Sequence, residues 1–135
     1  MHESDFSVIA SALLERDIDI CTSAAARLHS GASAENIPAL LELLRSDDFF
    51  VREAAAWPLA ELSGIQHLPE LFVAYQRGFD DGHDNDGFTA ALLEIPALFP
   101  IEAAQALQEL AKSVDPFLQE HAEWLLSFCD PERKE

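Results

Sequence analysis

The feature that most constrains the fold of this 135-residue chain is an apolar spacing that recurs four times. Apolar side chains at offsets of 0, 3, 4 and 7 residues line one face of an α-helix. The four sets are Phe6, Ile9, Ala10 and Leu13; Ile37, Leu40, Leu41 and Leu44; Leu68, Leu71, Phe72 and Tyr75; and Ala103, Ala106, Leu107 and Leu110. No run alternates apolar and polar residues between turn signals, as a half-buried strand would. We therefore predict an all-α fold in which these segments are the first helices of four helical hairpins.

An aspartate precedes the expected second helix of each hairpin. The four are Asp17, Asp48, Asp86 and Asp115, separated by 31, 38 and 29 residues. An aspartate can act as the N-cap there, because its carboxylate accepts hydrogen bonds from the free amides of the first helical turn. The residues three positions later are expected to enter the core: Ile20, Val51, Thr89 and Leu118. Pro58 and Pro96 each follow their aspartate by ten residues, which supports the alignment and predicts a bend in each helix.

A repeat length of roughly 30 to 40 residues is typical of stacked helical repeats. We predict an α–α superhelix that forms a single domain over residues 1–135. Its four repeats are expected at about residues 3–30, 35–63, 67–99 and 101–130. Repeat proteins of this kind build extended surfaces that bind partners.

The charge of the chain is strongly negative, with 25 acidic residues, 8 basic residues and a net charge of −17. Residues 78–132 contain 12 acidic residues and a single base, Lys112. Such a field repels nucleic acid and anionic membranes and attracts basic proteins, although acidity also serves solubility alone. The sequence has no apolar run of membrane-spanning length and no signal peptide, so we expect a cytoplasmic protein of bacterial style.

Residues that could carry chemistry are few and do not form a catalytic pattern. Cys21 and Cys129 lie far apart without a CxxC partner, and we expect two buried free thiols. His121 falls on the apolar face of the last helix, which favours a hydrogen-bonded core histidine over a catalytic one. The sequence contains no nucleophile motif and no phosphate-binding glycine loop. We therefore predict that the chain is not an enzyme and has no resident metal or cofactor.

The segment at residues 77–87 makes the third repeat about seven residues longer than its neighbours. Its polar side chains are Asp80, Asp81, His83, Asp84, Asn85 and Asp86. They could bind a hard cation such as calcium. The EF-hand order fails, however, because placing Gly87 at the obligatory glycine puts Gly82 first and Leu93 last. A solvated turn in which Asp86 caps the next helix and a partner-binding loop are the other interpretations, so cation binding at this loop stays open.

The second repeat carries the residues of a known repeat family. They are Ile37-Pro38-Ala39-Leu40-Leu41-Glu42-Leu43-Leu44 and Asp48-x-x-Val51-Arg52-Glu53-Ala54-Ala55, and Leu68-Pro69-Glu70-Leu71 repeats the first half. An early proline in the first helix and Asp-x-x-Val-Arg at the start of the second resemble HEAT-repeat proteins, especially the short bacterial kind related to phycobilin-lyase-type repeats. The resemblance implies a HEAT-like right-handed solenoid whose second helices line the concave surface. Similar proteins are scaffolds, auxiliaries to chromophore attachment, or immunity proteins that neutralise secreted bacterial toxins.

Aromatic residues away from the core face of the second helices give the candidate binding site. Trp57 and Trp124 lie at the same phase of their helices. The third repeat places Phe88, Ile95 and Phe99 on the corresponding side of its second helix. Aromatic anchors with an acidic border suit a partner rich in Lys and Arg. The predicted partner-binding residues are Glu53, Trp57, Glu61, Asp80, Asp81, Asp84, Phe88, Ile95, Phe99, Glu120, Glu123 and Trp124. The alternative interpretation is that these aromatics pack between neighbouring repeats.

These features favour a non-catalytic module that binds and neutralises a basic protein. The sharpest version is an immunity protein for a toxin such as a nuclease, whose basic groove would meet a strong counter-charge here. We expect a monomer in the absence of the partner, and no nucleic-acid or membrane partner. The alternatives are a generic scaffold or adaptor in a larger assembly and, from the resemblance, a lyase-type auxiliary to cofactor attachment.

Overall fold

The computed structural model describes residues 1–129, and this part of the chain contains eight α-helices and no strand. The predicted all-α class is therefore confirmed. The helices belong to two compact units, Met1–Ser63 and Gly64–Glu135, and each unit holds two pairs of consecutive helices.

The first unit comprises four helices and one short 3₁₀ turn. They are α1 Glu3–Leu13, α2 Ile18–Gly31, the turn Ala34–Asn36, α3 Ile37–Leu44 and α4 Phe49–Ser63. Helix α1 packs against α2, α3 packs against α4, and α2 and α4 contact each other. The buried face of α4 is rich in alanine, which lets neighbouring helices approach closely. These alanines are Ala54, Ala55, Ala56 and Ala60.

The second unit begins with a 3₁₀ turn and has a more aromatic core. Its elements are the turn Ile65–His67, α5 Leu68–Asp80, α6 Asp86–Leu98, α7 Pro100–Leu110 and α8 Pro116–Leu126. Helix α7 packs against α6 and α8, and α8 also contacts α5 and α6. Phe72, Tyr75 and Phe88 are buried among these helices.

The core faces predicted for the first helices are confirmed. In α5 all four predicted residues are buried: Leu68, Leu71, Phe72 and Tyr75. The buried members of the other three sets are Phe6, Ile9, Leu13, Leu40, Leu44, Ala103 and Leu107, and the rest are half-buried. Burying a large aliphatic or aromatic side chain contributes roughly 1.5 to 3 kcal/mol, so these faces are a main source of stability.

Three of the four predicted aspartate caps are confirmed. In each, Oδ1 accepts hydrogen bonds from backbone amides of the first turn at 2.9 to 3.4 Å. The pairs are Asp17 with Asp19 and Ile20, Asp48 with Val51, and Asp115 with Phe117 and Leu118. A cap of this kind satisfies amides that have no partner inside the helix.

The fourth predicted cap, Asp86, is wrong. Helix α6 begins at Asp86, and Asn85 occupies the N-cap position. The Asn85 side chain is buried, its Nδ2 donates to the Tyr75 carbonyl at 2.9 Å, and its amide lies against Gly78, where a Cβ atom would clash. The register of the third hairpin is therefore shifted by one residue, and Phe88 takes the core position three residues after the cap.

The shift also explains why Thr89 is not a core residue. It is half-buried, and its Oγ1 lies 2.6 Å from the hydroxyl of Tyr75. The prediction for Ile20 is wrong too, since this side chain is 45% exposed. The buried face of α2 is instead formed by Cys21, Ala24 and Leu28. Of the other two predicted positions, Val51 is buried and Leu118 is half-buried.

The arginine of the Asp-x-x-Val-Arg sequence fixes the turn before α4. Arg52 is 1% exposed, and its Nη1 donates to the carbonyls of Ser46 and Asp47 at 3.0 and 3.1 Å. Its guanidinium carbon lies 5.6 Å from the centre of the Phe49 ring. Because polar groups in a protein interior need hydrogen-bond partners, the buried guanidinium holds the α3–α4 connection in one conformation.

Pro58 and Pro96 lie inside α4 and α6, and both helices continue past them.

Within residues 1–129, no single helix is long and apolar enough to cross a membrane. Helices α6 and α7, with a bend of 117° between them, are together long and apolar enough for a broken membrane span by length and composition alone. Both of these helices supply buried core residues to the second unit.

Candidate functional site

In the first unit, three of the predicted binding residues follow one another along α4. Glu53, Trp57 and Glu61 are four residues apart, and all three are half-buried. The Trp57 ring lies 5.2 Å from the His29 ring of α2, with an angle of 51° between the ring planes. His29 Nε2 donates a hydrogen bond of 2.9 Å to Oε1 of Glu61, because a carboxylate can only accept. The structure thus brings Trp57 and Glu61 together through a histidine.

A groove runs beside this histidine. It has a volume of about 240 Å³ and is lined by Ala25, Ala26, His29, Ala54 and Trp57. Four of these five residues present apolar or aromatic surface, and the carboxylate of Glu61 is held at one side through His29. The arrangement offers an apolar wall, an aromatic face and a negative charge within one small site.

His29 was not predicted as a site residue, because its partners Trp57 and Glu61 lie on another helix. One signal could have found it. His29 precedes Glu61 by 32 residues, which is close to the 31-residue spacing between Asp17 and Asp48. Residues one repeat apart are neighbours in a stacked helical protein.

In the second unit, Trp124 belongs to an aromatic cluster. Its ring stacks on Tyr75 with a centroid distance of 5.9 Å and an interplanar angle of 21°, and Phe128 meets it edge-on at 5.7 Å. The Phe79 ring also meets Tyr75 edge-on, with a centroid distance of 4.9 Å. Phe79 is 49% exposed and Phe128 is 43% exposed, whereas Tyr75 is buried. We call Phe79, Trp124 and Phe128 the aromatic patch.

His121 sits beneath the aromatic patch, as a hydrogen-bonded core residue. Its ring lies 5.1 Å from Tyr75 and 6.2 Å from Phe79. Gln76 Nε2 donates to Asp80 Oδ1 at 2.9 Å, and this contact fixes the amide orientation, so Gln76 Oε1 faces His121 Nε2 at 2.8 Å. His121 therefore carries its proton on Nε2 and donates it.

Burial lowers the pKa of His121 below the ordinary value of 6.5, and the nearby Glu120 carboxylate raises it by a smaller amount. The charged form of the imidazole is disfavoured because the surrounding aromatic rings replace water. The residue is therefore a neutral hydrogen-bond donor near neutral pH, and the predicted hydrogen-bonded core histidine is confirmed.

Two predicted binding residues are core residues, which corrects the sequence-based site. Phe88 and Ile95 are both 0% exposed. With Asp86 as the cap, both residues would lie on the binding side, but the cap is Asn85, which shifts every residue of α6 by one position. The position nine residues after the cap, which holds Trp57 and Trp124 in the other helices, holds Glu94 in α6. Phe99 is half-buried at the junction of α6 and α7.

The predicted acidic residues of the second unit are all exposed. Glu120 and Glu123 lie on α8, next to Trp124 in sequence. Asp80 accepts from Gln76, Asp81 Oδ2 lies 4.0 Å from Arg77 Nε, and Asp84 Oδ1 accepts from the Asp86 amide at 2.9 Å. The acidic segment is thus a turn held by local hydrogen bonds, with Gly82 at a φ of +78°.

Metal-binding geometry is not found at this turn. In residues 1–129, no three side chains of the types His, Cys, Asp and Glu are grouped closely enough to hold a metal ion. The two thiols are buried and free, as predicted, and burial raises the pKa of Cys129. Neither thiol is therefore placed as a nucleophile.

A second cleft in the first unit was not predicted from the sequence. It has a volume of about 590 Å³ and lies between α1 and α3, with Phe6, Ala10, Pro38, Ala39 and Leu43 among the apolar side chains that line it. Three glutamates also border it: Glu3, Glu35 and Glu42. Glu35 is within 3.3 Å of the amino group of Met1.

Comparisons of the chain with protein-family models, with curated proteins and with solved structures find no match.

Proposed function

We propose that this chain is a non-catalytic protein-interaction module that binds a basic protein through the aromatic patch of its second unit. The observation that carries the proposal is the exposure of Phe79, whose ring contacts Tyr75, and of Phe128, whose ring contacts Trp124. Large aromatic side chains at a surface are the common anchors of protein interfaces, because they bury much area at little cost in side-chain entropy.

The charge around the patch indicates the kind of partner. Residues 64–129 contain 11 acidic residues and 2 basic residues, Arg77 and Lys112. Asp80, Glu120 and Glu123 are exposed and adjoin members of the patch in sequence or by one helical turn. An acidic border speeds the encounter with a basic partner and repels acidic ones. The same field repels nucleic acid and anionic membranes.

The repeat spacing and the resemblance to HEAT-repeat proteins support a further part of the proposal. We take the four helical hairpins as one HEAT-like superhelix, and the protein as an immunity protein in the cytoplasm that masks the substrate groove of a toxin such as a nuclease. A nuclease groove is basic because it must bind phosphates, so it is the natural complement of this surface.

Binding to a toxin tests the proposal directly. The genes beside this one are first searched for a secreted nuclease toxin, and the absence of any such reading frame would count against the immunity proposal. The probe is the purified nuclease domain of the toxin found there, with its residual nuclease activity as the readout. We expect inhibition at an equimolar ratio, with an association rate that falls steeply as salt rises from 50 to 300 mM, on the order of tenfold.

Variants locate the interface. Phe79→Ser combined with Phe128→Ser is expected to weaken binding by at least about 2 kcal/mol, the scale of an interface hot spot. Val114→Ser is the matched control, since Val114 is fully exposed in the same unit but outside the aromatic patch. If both variants bind like the wild type, or if the interaction is insensitive to salt, the charge-driven interface is wrong and a generic scaffold with an apolar contact is favoured.

A further inference from the structure

The groove beside Trp57 in the first unit combines a mostly apolar lining with a carboxylate that is bonded to one of its lining residues. Ala25, Ala26 and Ala54 give it a floor without polar groups, and Trp57 forms one wall. Its volume of about 240 Å³ is too small for a folded element and suits a single side chain. Within the described residues no lysine or arginine lines it.

The negative charge at the groove is oriented by the protein. His29 Nε2 donates to Oε1 of Glu61, and Oε2 still has acceptor capacity because each carboxylate oxygen accepts separately. The side chain of Glu61 is 35% exposed, so an incoming donor can reach it. His29 thus fixes the carboxylate without using all of it.

We propose that this groove receives a single arginine side chain of the basic partner, which rests on the proposed function and adds a second contact to it. The guanidinium stacks on the Trp57 indole and donates to Glu61, while its aliphatic stem lies on the alanine floor. Arginine fits better than lysine because its planar group both stacks on an aromatic ring and binds a carboxylate in a fixed geometry.

A minimal ligand tests this without the partner. In the Trp124→Phe variant, Trp57 is the only tryptophan, so its fluorescence reports the groove. We expect a saturable change with N-acetyl-arginine amide and none with the N-acetyl-citrulline amide, which has the same shape without the charge. Backbone amide shifts in the wild-type chain, mapped by NMR, give the same test if Trp124→Phe does not fold.

Two substitutions and one matched control assign the contact. Ala26→Phe fills the groove from an exposed position of α2 and is expected to abolish the change, whereas Thr22→Phe, exposed on the same helix outside the groove, leaves it intact. Glu61→Gln keeps the shape and removes the charge, and should weaken arginine binding by up to about fivefold.

Equal responses to the two amides, or shifts that avoid Ala26 and His29, would overturn the groove as an arginine site. The proposed function fails separately. If the toxin domain binds the wild type, but binds Ala26→Phe and Glu61→Gln with unchanged affinity, the aromatic patch stands and the groove inference is wrong.

Discussion

His121 donates a hydrogen bond from Nε2 to Oε1 of Gln76, 2.8 Å away, and this bond joins α8 to α5. Gln76 passes the interaction on by donating to Asp80, the last residue of α5. A buried imidazole in an aromatic cluster, a side-chain amide and an exposed carboxylate therefore form one chain of hydrogen bonds. The donor-to-acceptor direction of these hydrogen bonds is fixed at the carboxylate end, since Asp80 can only accept.

Acid should destabilise the protein through His121. Its pKa is lowered in the folded state, so the unfolded chain binds the proton more tightly. The stabilising effect is complete above about pH 6.5 and is lost as the pH falls through the lowered folded-state pKa. We expect His121→Phe to reduce the fall in unfolding free energy between pH 7.5 and 5.5, as measured by urea denaturation. At neutral pH the variant should lose about 1 kcal/mol with the Gln76 hydrogen bond. An unchanged pH dependence would show that other groups set it.

The corrected cap of α6 predicts a contrast between two aspartates. Asp115→Ala should cost about 1 kcal/mol, because two amides of α8 lose their acceptor. Asp86→Ala should cost less than about 0.5 kcal/mol, because Asp86 is the first helical residue and not the cap. Thermal unfolding of both variants is the measurement. Equal losses would restore Asp86 as the cap and would falsify the shift in register.

Replacing Arg52 should be among the most damaging single changes in the first unit. Arg52→Met retains much of the volume but leaves the carbonyls of Ser46 and Asp47 without their charged donor. We expect a loss of about 3 kcal/mol in unfolding free energy. Arg16→Met is the control, since Arg16 is exposed in the turn before α2 and should change stability by less than about 0.5 kcal/mol. A similar small change for both would mean that the buried guanidinium is dispensable.

Two glycines near the acidic turn should respond to alanine for different reasons. Gly78→Ala places a Cβ atom against the Asn85 amide, and we expect a loss of about 2 kcal/mol from overpacking. Gly82→Ala meets open space but must adopt a φ of +78°, which costs about 1 kcal/mol.

The controls separate packing from backbone strain. Gly82→Asn should be milder than Gly82→Ala, because asparagine tolerates a positive φ. The cost of Gly78→Ala should shrink in an Asn85→Ala background, where the clashing amide is gone. Additive losses in that double-mutant cycle would contradict the packing explanation, and both sets can be compared by chemical denaturation.

The local parts of the fold were predictable because they depend on periods along the chain. The offsets of 0, 3, 4 and 7 predicted the core faces of α1, α3, α5 and α7, and buried side chains confirm them. Asp17, Asp48 and Asp115 were identifiable because capping needs only a carboxylate next to the first turn. His121 was predictable as a core residue because it falls on the apolar face of the last helix.

The candidate site was only partly predictable. Trp57 and Glu61 were both predicted as binding residues and lie on one helix, but the histidine that joins them lies on another helix. Phe79 and Phe128 were not predicted as exposed aromatics, since the spacing of apolar residues along the chain does not tell which side chains the neighbouring elements leave uncovered. Phe88 and Ile95 were misplaced because their side of α6 depends on the residue at which the helix begins.

The amino-acid sequence by itself determined the helical class, the number of helices in residues 1–129 and most of the faces that are buried, because these follow from the spacing of apolar residues. Tertiary structure alone decided the start of α6. Asparagine and aspartate stand side by side there, and either can cap a helix. The choice falls on Asn85 because its amide can be buried against Gly78 and donate to the Tyr75 carbonyl. An ionised Asp86 is a costlier group to bury and cannot donate that bond.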